Sequence, residues 1–262
     1  MLQHLADLAA DTSGKLSEAS SLVLLHGLTF DRTMWGPTRE HLMYLEPGRL
    51  VVAFDLPGHG QSPPQTDYNV ETVAAAIHHA VSETGEHAPV VVGHSVSGLI
   101  ATMYAARYPT RGVVNVDQPL DITQFATLVR SLEDRLRGPD FSELWATFEA
   151  SFHTELLPGR AQELVQASSP PDQAIVLGYW NQIFDLPIAA LNAMVDDAIA
   201  TLRTEHLPYT FVSGRTVDPS YEQWLRRRLP EAQIIVLPNS GHFPQLAHPA
   251  AFAEVLHETI TW

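Results

Sequence analysis

The sequence predicts an α/β fold, in which a parallel, doubly wound sheet of about six strands carries helices on both faces. Short runs rich in β-branched apolar residues, such as residues 89–93, alternate with stretches whose apolar residues have helical spacing, such as residues 68–84. The length of 262 residues also suits one α/β domain with room for an insertion. Length and alternation together therefore favour this fold class.

The predicted elements follow one another in order along most of the chain. Residues 1–20 have the spacing of a short amphipathic helix followed by a polar loop. We therefore expect the sheet to begin only at residue 21, without an N-terminal hairpin. The predicted strands span residues 21–25, 50–54, 89–93, 112–116, 209–213 and 233–237, and the predicted helices span residues 68–84, 99–108, 221–229 and 249–262.

The alternation of strands and helices stops between residues 120 and 205. This segment has a helical pattern, is punctuated by proline and glycine, and is rich in aromatic residues. It predicts a division into an α/β core of residues 1–119 and 206–262 and a helical cap, or lid, of residues 120–205. The aromatic residues could form the core of the cap or line an apolar pocket beneath it. The residues expected to line that pocket are Trp145, Phe148, Tyr179, Trp180 and Phe184.

The composition narrows the classes of function. The chain has a formal charge of −15 and no cysteine. So acidic a surface argues against nucleic acid and anionic membranes as partners, and the lack of cysteine excludes disulfides and cysteine nucleophiles. No apolar run approaches the roughly 18 residues that cross a bilayer, and the N-terminus lacks the pattern of a signal peptide. We therefore expect a cytoplasmic protein.

The predicted strand at residues 89–93 leads through a short turn into a helical run, with Ser95 at the apex of the turn. A serine between a strand and a helix, flanked by small residues, is typical of a nucleophile elbow. The usual pattern is G-x-S-x-G; Gly93 and Ser95 match it, whereas Ser97 takes the last position and Gly98 follows. The pattern favours Ser95 as a nucleophile at a helix N-terminus, where free N–H groups favour developing negative charge.

Four residues with catalytic chemistry follow directly after predicted strands. They are Ser95, Asp117, Asp218 and His242. The carboxyl ends of parallel strands meet at one edge of a sheet, where ligands bind. A serine hydroxyl needs a base to take its proton, a histidine can do so near neutral pH, and a carboxylate can orient the imidazole. The sequence therefore predicts a site for nucleophilic chemistry at this edge.

Four motifs, in order, resemble those of the α/β-hydrolase fold family, and the resemblance covers nearly the whole chain outside the helical segment. They are His26-Gly27, the D-x-P-G-x-G-x-S loop at residues 55–62, the elbow around Ser95, and Ser240-Gly241-His242. The resemblance implies that Ser95 attacks and His242 acts as the base, in a triad ordered serine, acid, histidine. It also implies that the backbone N–H groups of Leu28 and Val96 form the oxyanion hole.

The sequence leaves two candidates for the acid of this triad. Asp218 lies in the loop after residues 209–213, where most family members carry the acid, but one residue further along than usual. Asp117 comes directly after the predicted strand at residues 112–116. Fungal zearalenone-type lactonases and cofactor-free quinaldine dioxygenases resemble the chain in this respect. We slightly prefer Asp117, with Asp218 as the alternative.

These features predict a serine hydrolase that cleaves a carboxylic ester or lactone with a largely apolar body. The reaction would pass through an acyl-enzyme on Ser95 and would need no cofactor and no metal. The same fold supports other activities, so a cofactor-free oxygenase, a C–C bond hydrolase and a ligand-binding receptor are the alternatives. The expected partner is a small-molecule ester or lactone, and the oligomeric state is left open.

Overall fold

The computed structural model describes residues 2–168 and 170–262. Met1, within the predicted N-terminal helix, and Ser169, within the predicted cap, lie outside the described residues. The described strands are β1 (Leu2–Leu5), β2 (Leu8–Ser13), β3 (Leu22–Leu25), β4 (Val51–Phe54), β5 (Val90–His94), β6 (Gly112–Val116), β7 (Tyr209–Ser213) and β8 (Gln233–Val236). The described helices are α1 (Gly36–Leu45), α2 (Val70–Ser82), α3 (Val96–Ala105), α4 (Thr123–Ser131), α5 (Glu133–Arg137), α6 (Phe141–Ala150), α7 (Gly159–Gln166), α8 (Gln173–Tyr179), α9 (Asn181–Asp185), α10 (Ile188–Thr204), α11 (Pro219–Arg228), α12 (Pro244–Ala247) and α13 (Pro249–His257).

The six strands expected from the sequence form the parallel part of one sheet, in the order β4-β3-β5-β6-β7-β8. Strands β3 to β7 are buried along their length, which explains why they are continuous apolar runs. Alternate strand residues belong to two separate apolar clusters: Val91 packs with α2 and α3, whereas Val90 and Val92 share a cluster with residues of α1 and α13. Helices therefore cover both faces, and the predicted fold class is confirmed.

The N-terminal segment forms a hairpin, and the predicted helix there is wrong. β1 and β2 pair antiparallel around Ala6 and Asp7, whose φ angles are 44° and 72°, and β2 pairs with β4. Two successive turn residues with positive φ match the twist of a tight β-hairpin. Pairing with β4 completely buries Ala9 and Ala10, and this tertiary contact outweighs the helical spacing of the neighbouring leucines. The described sheet consequently has eight strands rather than about six.

Helices α4 to α10 lie between β6 and β7, at the position of the predicted cap. We call residues 120–205 the helical insertion; its described residues contain no strand. α10 packs against α3 and α11, which attaches the insertion to the rest of the fold. A division of the chain into a core and a separately acting cap stays a prediction. Within the described residues, no helix is both long and apolar enough to cross a membrane.

Candidate active site

Ser95 lies at the apex of the turn between β5 and α3. Its backbone has φ 55° and ψ −133°, a conformation that residues other than glycine rarely adopt. The turn is anchored by the Ser95 N–H, which donates to the carbonyl oxygen of Val116 at 2.9 Å. A Cβ at Gly93 would overlap the carbonyl oxygen of Ser97, so the position before the turn admits only glycine. The tight, strained geometry of a nucleophile elbow is therefore present.

The departure from the usual elbow pattern has a structural reason. Ser97, in the position usually held by glycine, donates its hydroxyl to the carbonyl oxygen of His26 at 2.5 Å. Gly98 lies against the end of β6, where a Cβ would overlap Asn115 Oδ1 and would lie 2.7 Å from Gln118 Cβ. The Ser97 hydroxyl thus links the elbow to the residue after β3. The position that admits only glycine is 98 instead of 97.

His242 and Asp117 come together from the ends of β8 and β6. The Nδ1–H of His242 donates to Oδ2 of Asp117 at 2.9 Å. Their side chains are 15% and 4% exposed, so the pair is largely shielded from water. Asp117, directly after β6, has φ 55°, a backbone conformation that residues other than glycine adopt uncommonly. No hydrogen bond to His242 Nε2 occurs among the described residues, which leaves this nitrogen free to accept a proton.

Asp218, the alternative acid, lies elsewhere and has another function. Its Oδ1 accepts from the N–H of Ser220 at 2.7 Å, so it caps the N-terminus of α11. Hydrogen bonds from the Ser220 hydroxyl and N–H hold the pKa of Asp218 below its usual value, although the side chain is exposed. The structure therefore brings Asp117, and not Asp218, within hydrogen-bond distance of His242.

The loop after β3 meets the elbow at Gly27. A Cβ on Gly27 would lie 3.1 Å from Ser95 Cβ and 2.8 Å from His94 Nδ1. The next residue, Leu28, is buried, and its N–H donates no hydrogen bond within the described part of the chain. Val96 is the first residue of α3, so its N–H has no acceptor within the helix. Both predicted oxyanion donors thus flank the contact between Gly27 and Ser95, and their role stays a prediction.

Two further histidines at this edge are locked by backbone groups. His59 Nε2 accepts from the N–H of Thr29 at 3.1 Å, and its Nδ1–H donates to the carbonyl oxygen of Pro57 at 3.1 Å. Both ring nitrogens of His26 are likewise bonded to backbone groups, at 2.8 and 2.9 Å. Burial lowers the pKa of His26 to about 4 and that of His59 to about 3. These neutral rings hold the loops after β3 and β4 in place.

His94, next to Ser95, supports the loop that carries His242. Its Nε2–H donates to the carbonyl oxygen of His242 at 2.7 Å, and the two ring centroids are 4.6 Å apart. The pKa of His94 is well below its usual value, mainly because the ring is buried and secondly because His242 lies beside it. His94 therefore packs as a neutral ring against the loop of His242.

Asp55 organises the loop of residues 55–62. Its carboxylate accepts from the backbone N–H groups of Arg32 and Gln61, each at 2.8 Å, and pairs with the Arg32 guanidinium at 2.5 Å. The Arg32 guanidinium also lies 3.4 Å from Asp11 of β2. This ion network ties the N-terminal hairpin to the loop that carries His26 and Leu28. The network was not predicted from the sequence.

Phe152 of the helical insertion contacts His242 directly. Its carbonyl oxygen accepts from the N–H of His242 at 3.0 Å, and its ring stacks on the imidazole with centroids 4.9 Å apart and an angle of 22° between the planes. Gly241, with φ 55°, makes room for this contact, because a Cβ there would overlap the Phe152 carbonyl oxygen. Sequence reasoning missed Phe152; the glycine before His242 was the one signal of a close backbone approach.

Four of the five predicted pocket residues pack within the insertion. Trp145, Phe148 and Trp180 contact one another, with ring centroids 5.6 to 5.9 Å apart. Phe184 lies under the guanidinium of Arg137, whose Cζ is 4.7 Å from the ring centroid. The three rings, which pack at tilted and edge-on angles, form an apolar core for the insertion, and their role in contacting a substrate stays a prediction.

Tyr179, the fifth predicted pocket residue, joins the insertion to the loop after β4. Its hydroxyl donates to the carbonyl oxygen of Pro57 at 3.0 Å, and its ring centroid is 5.2 Å from that of His59. A cavity of about 160 Å³ lies beside this contact. Its walls are residues 29–31, residues 58–60, Pro170, Asp172 and Ile175, so the five predicted residues are not among them.

Sequence comparison identifies the family. Residues 22–255 match the sequence model of the alpha/beta hydrolase family. This match spans most of the chain, so the chain belongs to that family, and the resemblance seen in its motifs is confirmed.

Two relatives and one solved structure give the comparison more detail. The pimeloyl-[acyl-carrier protein] methyl ester esterase of Nitrosospira multiformis is 27% identical over 260 residues, covering 90% of this chain and 93% of the relative. The sn-1-specific diacylglycerol lipase ABHD11 of Mus musculus is 26% identical over 257 residues, which cover 90% of this chain and 79% of the relative. A thermophilic esterase from Thermogutta terrifontis superposes with a TM-score of 0.69 at 20% identity, covering 98% and 97%, which shows the fold alone. These relatives support a hydrolase on the alpha/beta fold.

Proposed function

We propose that the protein is a serine hydrolase that cleaves a carboxylic ester or lactone with a largely apolar body. The observation that carries the proposal is the buried hydrogen bond of 2.9 Å between His242 and Asp117, at the same sheet edge as Ser95. A carboxylate on Nδ1 and a free Nε2 are what a histidine needs to act as a general base. The strained backbone of Ser95 supports the same assignment, because it presents the hydroxyl above the sheet.

In the proposed acylation step, Ser95 Oγ attacks the carbonyl carbon of the ester while His242 Nε2 takes the hydroxyl proton. Asp117 holds the other ring nitrogen protonated and stabilises the imidazolium that forms. The N–H groups of Leu28 and Val96 would hold the oxyanion of the tetrahedral intermediate, each such donor typically contributing about 3 kcal/mol. The imidazolium then protonates the leaving alcohol oxygen as the C–O bond breaks.

Deacylation repeats the sequence with water as the nucleophile. His242 takes a proton from the water while the water oxygen attacks the acyl carbon, and the proton then returns to Ser95 Oγ as the carboxylic acid leaves. The protonation states balance over the cycle. For a lactone, the alcohol and the acid remain in one product molecule, so the same residues serve both substrate classes.

An uncharged, apolar substrate is favoured by the charge of the insertion. Three of its arginines have partners: Arg137 pairs with Glu133 at 2.8 Å, and Arg160 pairs with Glu40 at 2.7 Å. Arg130 donates to a backbone carbonyl oxygen at 2.6 Å. With a formal charge of −15 on the chain, a strongly anionic substrate would also be repelled on approach.

The first test of this function removes the nucleophile. Ser95→Ala is expected to lower the hydrolysis of short p-nitrophenyl esters by about 10⁴-fold or more, without lowering the thermal unfolding midpoint. A fluorophosphonate probe should label the wild-type protein on the peptide that contains Ser95, as located by mass spectrometry, and should not label the variant. Ser131→Ala is the matched control, because Ser131 is an exposed serine on α4, and this variant should keep both hydrolysis and labelling.

Two results would overturn the proposal. One is a Ser95→Ala variant that keeps most of its esterase activity. The other is turnover that consumes dioxygen, which would favour the cofactor-free oxygenase alternative on the same fold. If hydrolysis is confirmed, a panel of lactones and esters read by mass spectrometry separates the two substrate classes.

A further inference from the structure

The segment Ser213-Gly214-Arg215 starts at the last residue of β7 and leads into the loop in which most family members carry the catalytic acid. In this chain the carboxylate of that loop, Asp218, faces α11. The first three residues of the loop nevertheless contact both Asp117 and the loop of His242. We call these three residues the β7 brace.

The first contact of the β7 brace is with the Asp117 carboxylate. The hydroxyl of Ser213 donates to Oδ1 of Asp117 at 3.1 Å, while Oδ2 accepts from His242. Ser213 and Asp117 are 3% and 5% exposed, so water has little access to Oδ1. Without the hydroxyl, a buried carboxylate oxygen would lose its partner, and the carboxylate could rotate away from the imidazole.

The second contact is with the loop that carries His242. The carbonyl oxygen of Gly214 accepts from the N–H of Ser240 at 3.2 Å. A Cβ on Gly214 would overlap the carbonyl oxygen of Gly241 and would lie 3.0 Å from Ser240 Cβ. The brace is therefore packed directly against the backbone that precedes His242, and only glycine fits there.

The third contact is electrostatic and weaker. The Arg215 guanidinium lies 4.0 Å from Oδ2 of Asp117, but its side chain is 62% exposed. Solvent and salt screen an exposed charge at this distance, so its contribution is small. The directional contact from Ser213 is consequently the one on which the geometry of Asp117 depends.

We propose that Ser213 is a positioning residue that fixes the Asp117 carboxylate in the plane required by His242. The proposal rests on the function proposed above, because it assumes that the His242–Asp117 pair serves catalysis. Among the described residues, the hydroxyl of Ser213 is the one hydrogen-bond donor to Oδ1 of Asp117, so the orientation of the carboxylate depends on it. Ser213 supplies this orientation from the neighbouring strand, and it acts through Asp117 without contacting the substrate.

The test compares Ser213→Ala with a control on the same strand. Ser213→Ala should lower kcat for a p-nitrophenyl ester about ten- to a hundredfold and should change KM by less than about twofold. Ser213→Thr keeps a hydroxyl and should recover part of the lost kcat. Thr210→Val removes another buried β7 hydroxyl, and this variant should keep the wild-type kcat, because Thr210 belongs to the opposite face of the sheet from Ser213.

A spectroscopic readout separates positioning from general destabilisation and does not depend on turnover. The proton shared by His242 Nδ1 and Asp117 should give a low-field NMR resonance, which should move or broaden in Ser213→Ala and stay unchanged in Thr210→Val. An unchanged resonance together with an unchanged kcat would overturn the proposal. Equal losses of kcat in Ser213→Ala and Thr210→Val would overturn it as well. If the wild-type protein lacks hydrolysis that depends on Ser95, the proposed function fails, whereas the resonance still reports whether Ser213 positions Asp117.

Discussion

Two regions of the same sheet edge carry histidines whose ring nitrogens have different partners. In the loop after β8, His242 bonds one ring nitrogen to Asp117 and leaves the other without a hydrogen bond among the described residues. In the loops after β3 and β4, His26 and His59 bond both ring nitrogens to backbone groups. Burial lowers the pKa of His26 to about 4 and of His59 to about 3, so both remain neutral near pH 7.

The difference teaches that the partner, and not the residue type or its place at the edge, decides what a histidine does here. A carboxylate on one nitrogen stabilises the charged ring and leaves the second nitrogen for proton transfer. A backbone carbonyl and a backbone N–H fix one neutral tautomer and use up both nitrogens. His242 therefore suits catalysis, whereas His26 and His59 suit the support of loops.

The largest expected effect comes from changing the partner of His242. Asp117→Asn would favour the tautomer with the proton on Nε2, which can no longer accept the proton of Ser95. Turnover of a p-nitrophenyl ester should fall about 10⁴-fold, while the fold stays intact. Steady-state kinetics and a thermal unfolding curve on the same preparation measure both quantities.

Asp218→Asn is the matched control for this prediction. The same substitution at the other candidate acid should leave turnover within about threefold of the wild type, because Asp218 caps α11. The reverse ranking of the two variants would mean that the loop after β7 supplies the acid in solution, and the assignment of Asp117 would have to be withdrawn.

The neutral histidines predict a loss of stability in acid. The folded protein keeps His26 and His59 unprotonated down to about pH 4 and 3, whereas the unfolded chain takes up protons below about pH 6.5. The contribution of the two neutral histidines to the free energy of unfolding is therefore fully present above about pH 6.5. It is lost as the pH falls below that value. Between pH 6.5 and 5, each histidine should account for a loss of about 2 kcal/mol.

His59→Gln tests this prediction, because glutamine can still accept from Thr29 and donate to Pro57 but cannot take up a proton. Urea unfolding at pH 6.5 and pH 5 should show a smaller drop in the variant than in the wild type, by about 2 kcal/mol. His87→Gln, at an exposed position, should show the wild-type drop. Equal drops in all three proteins would show that His59 takes up a proton in the folded protein as readily as in the unfolded chain, and the prediction would be wrong.

The parts of the site that a local pattern encodes could be predicted from the sequence. The elbow depends on small residues within five positions, so Ser95 and its place before a helix could be located without knowledge of the rest of the chain. The loop of His242 could be located in the same way, from the adjacent residues Ser240-Gly241-His242. The parallel strands could be predicted because buried strands are continuous apolar runs.

The remaining features depend on contacts between distant segments. Two loops of similar pattern offered Asp117 and Asp218, and only the packing of the strand ends decides which carboxylate reaches His242. Phe152 approaches His242 from 90 residues earlier in the chain, by a carbonyl oxygen that any residue could supply. The N-terminal hairpin gained its strand conformation from pairing with β4, which outweighed an ambiguous apolar spacing in residues 1–20.

The smallest expected effect concerns the carboxylate that stays out of the pair. Asp218→Ala removes the N-cap of α11 and leaves the N–H of Ser220 without its acceptor. The free energy of unfolding should fall, with turnover unchanged, whereas Asp218→Asn should keep most of the stability because asparagine also caps helices. Chemical denaturation of the three proteins measures the difference. A loss of turnover in Asp218→Ala larger than its loss of stability can explain would link the α11 cap to the β7 brace, and the two strand-end loops would then act as one unit.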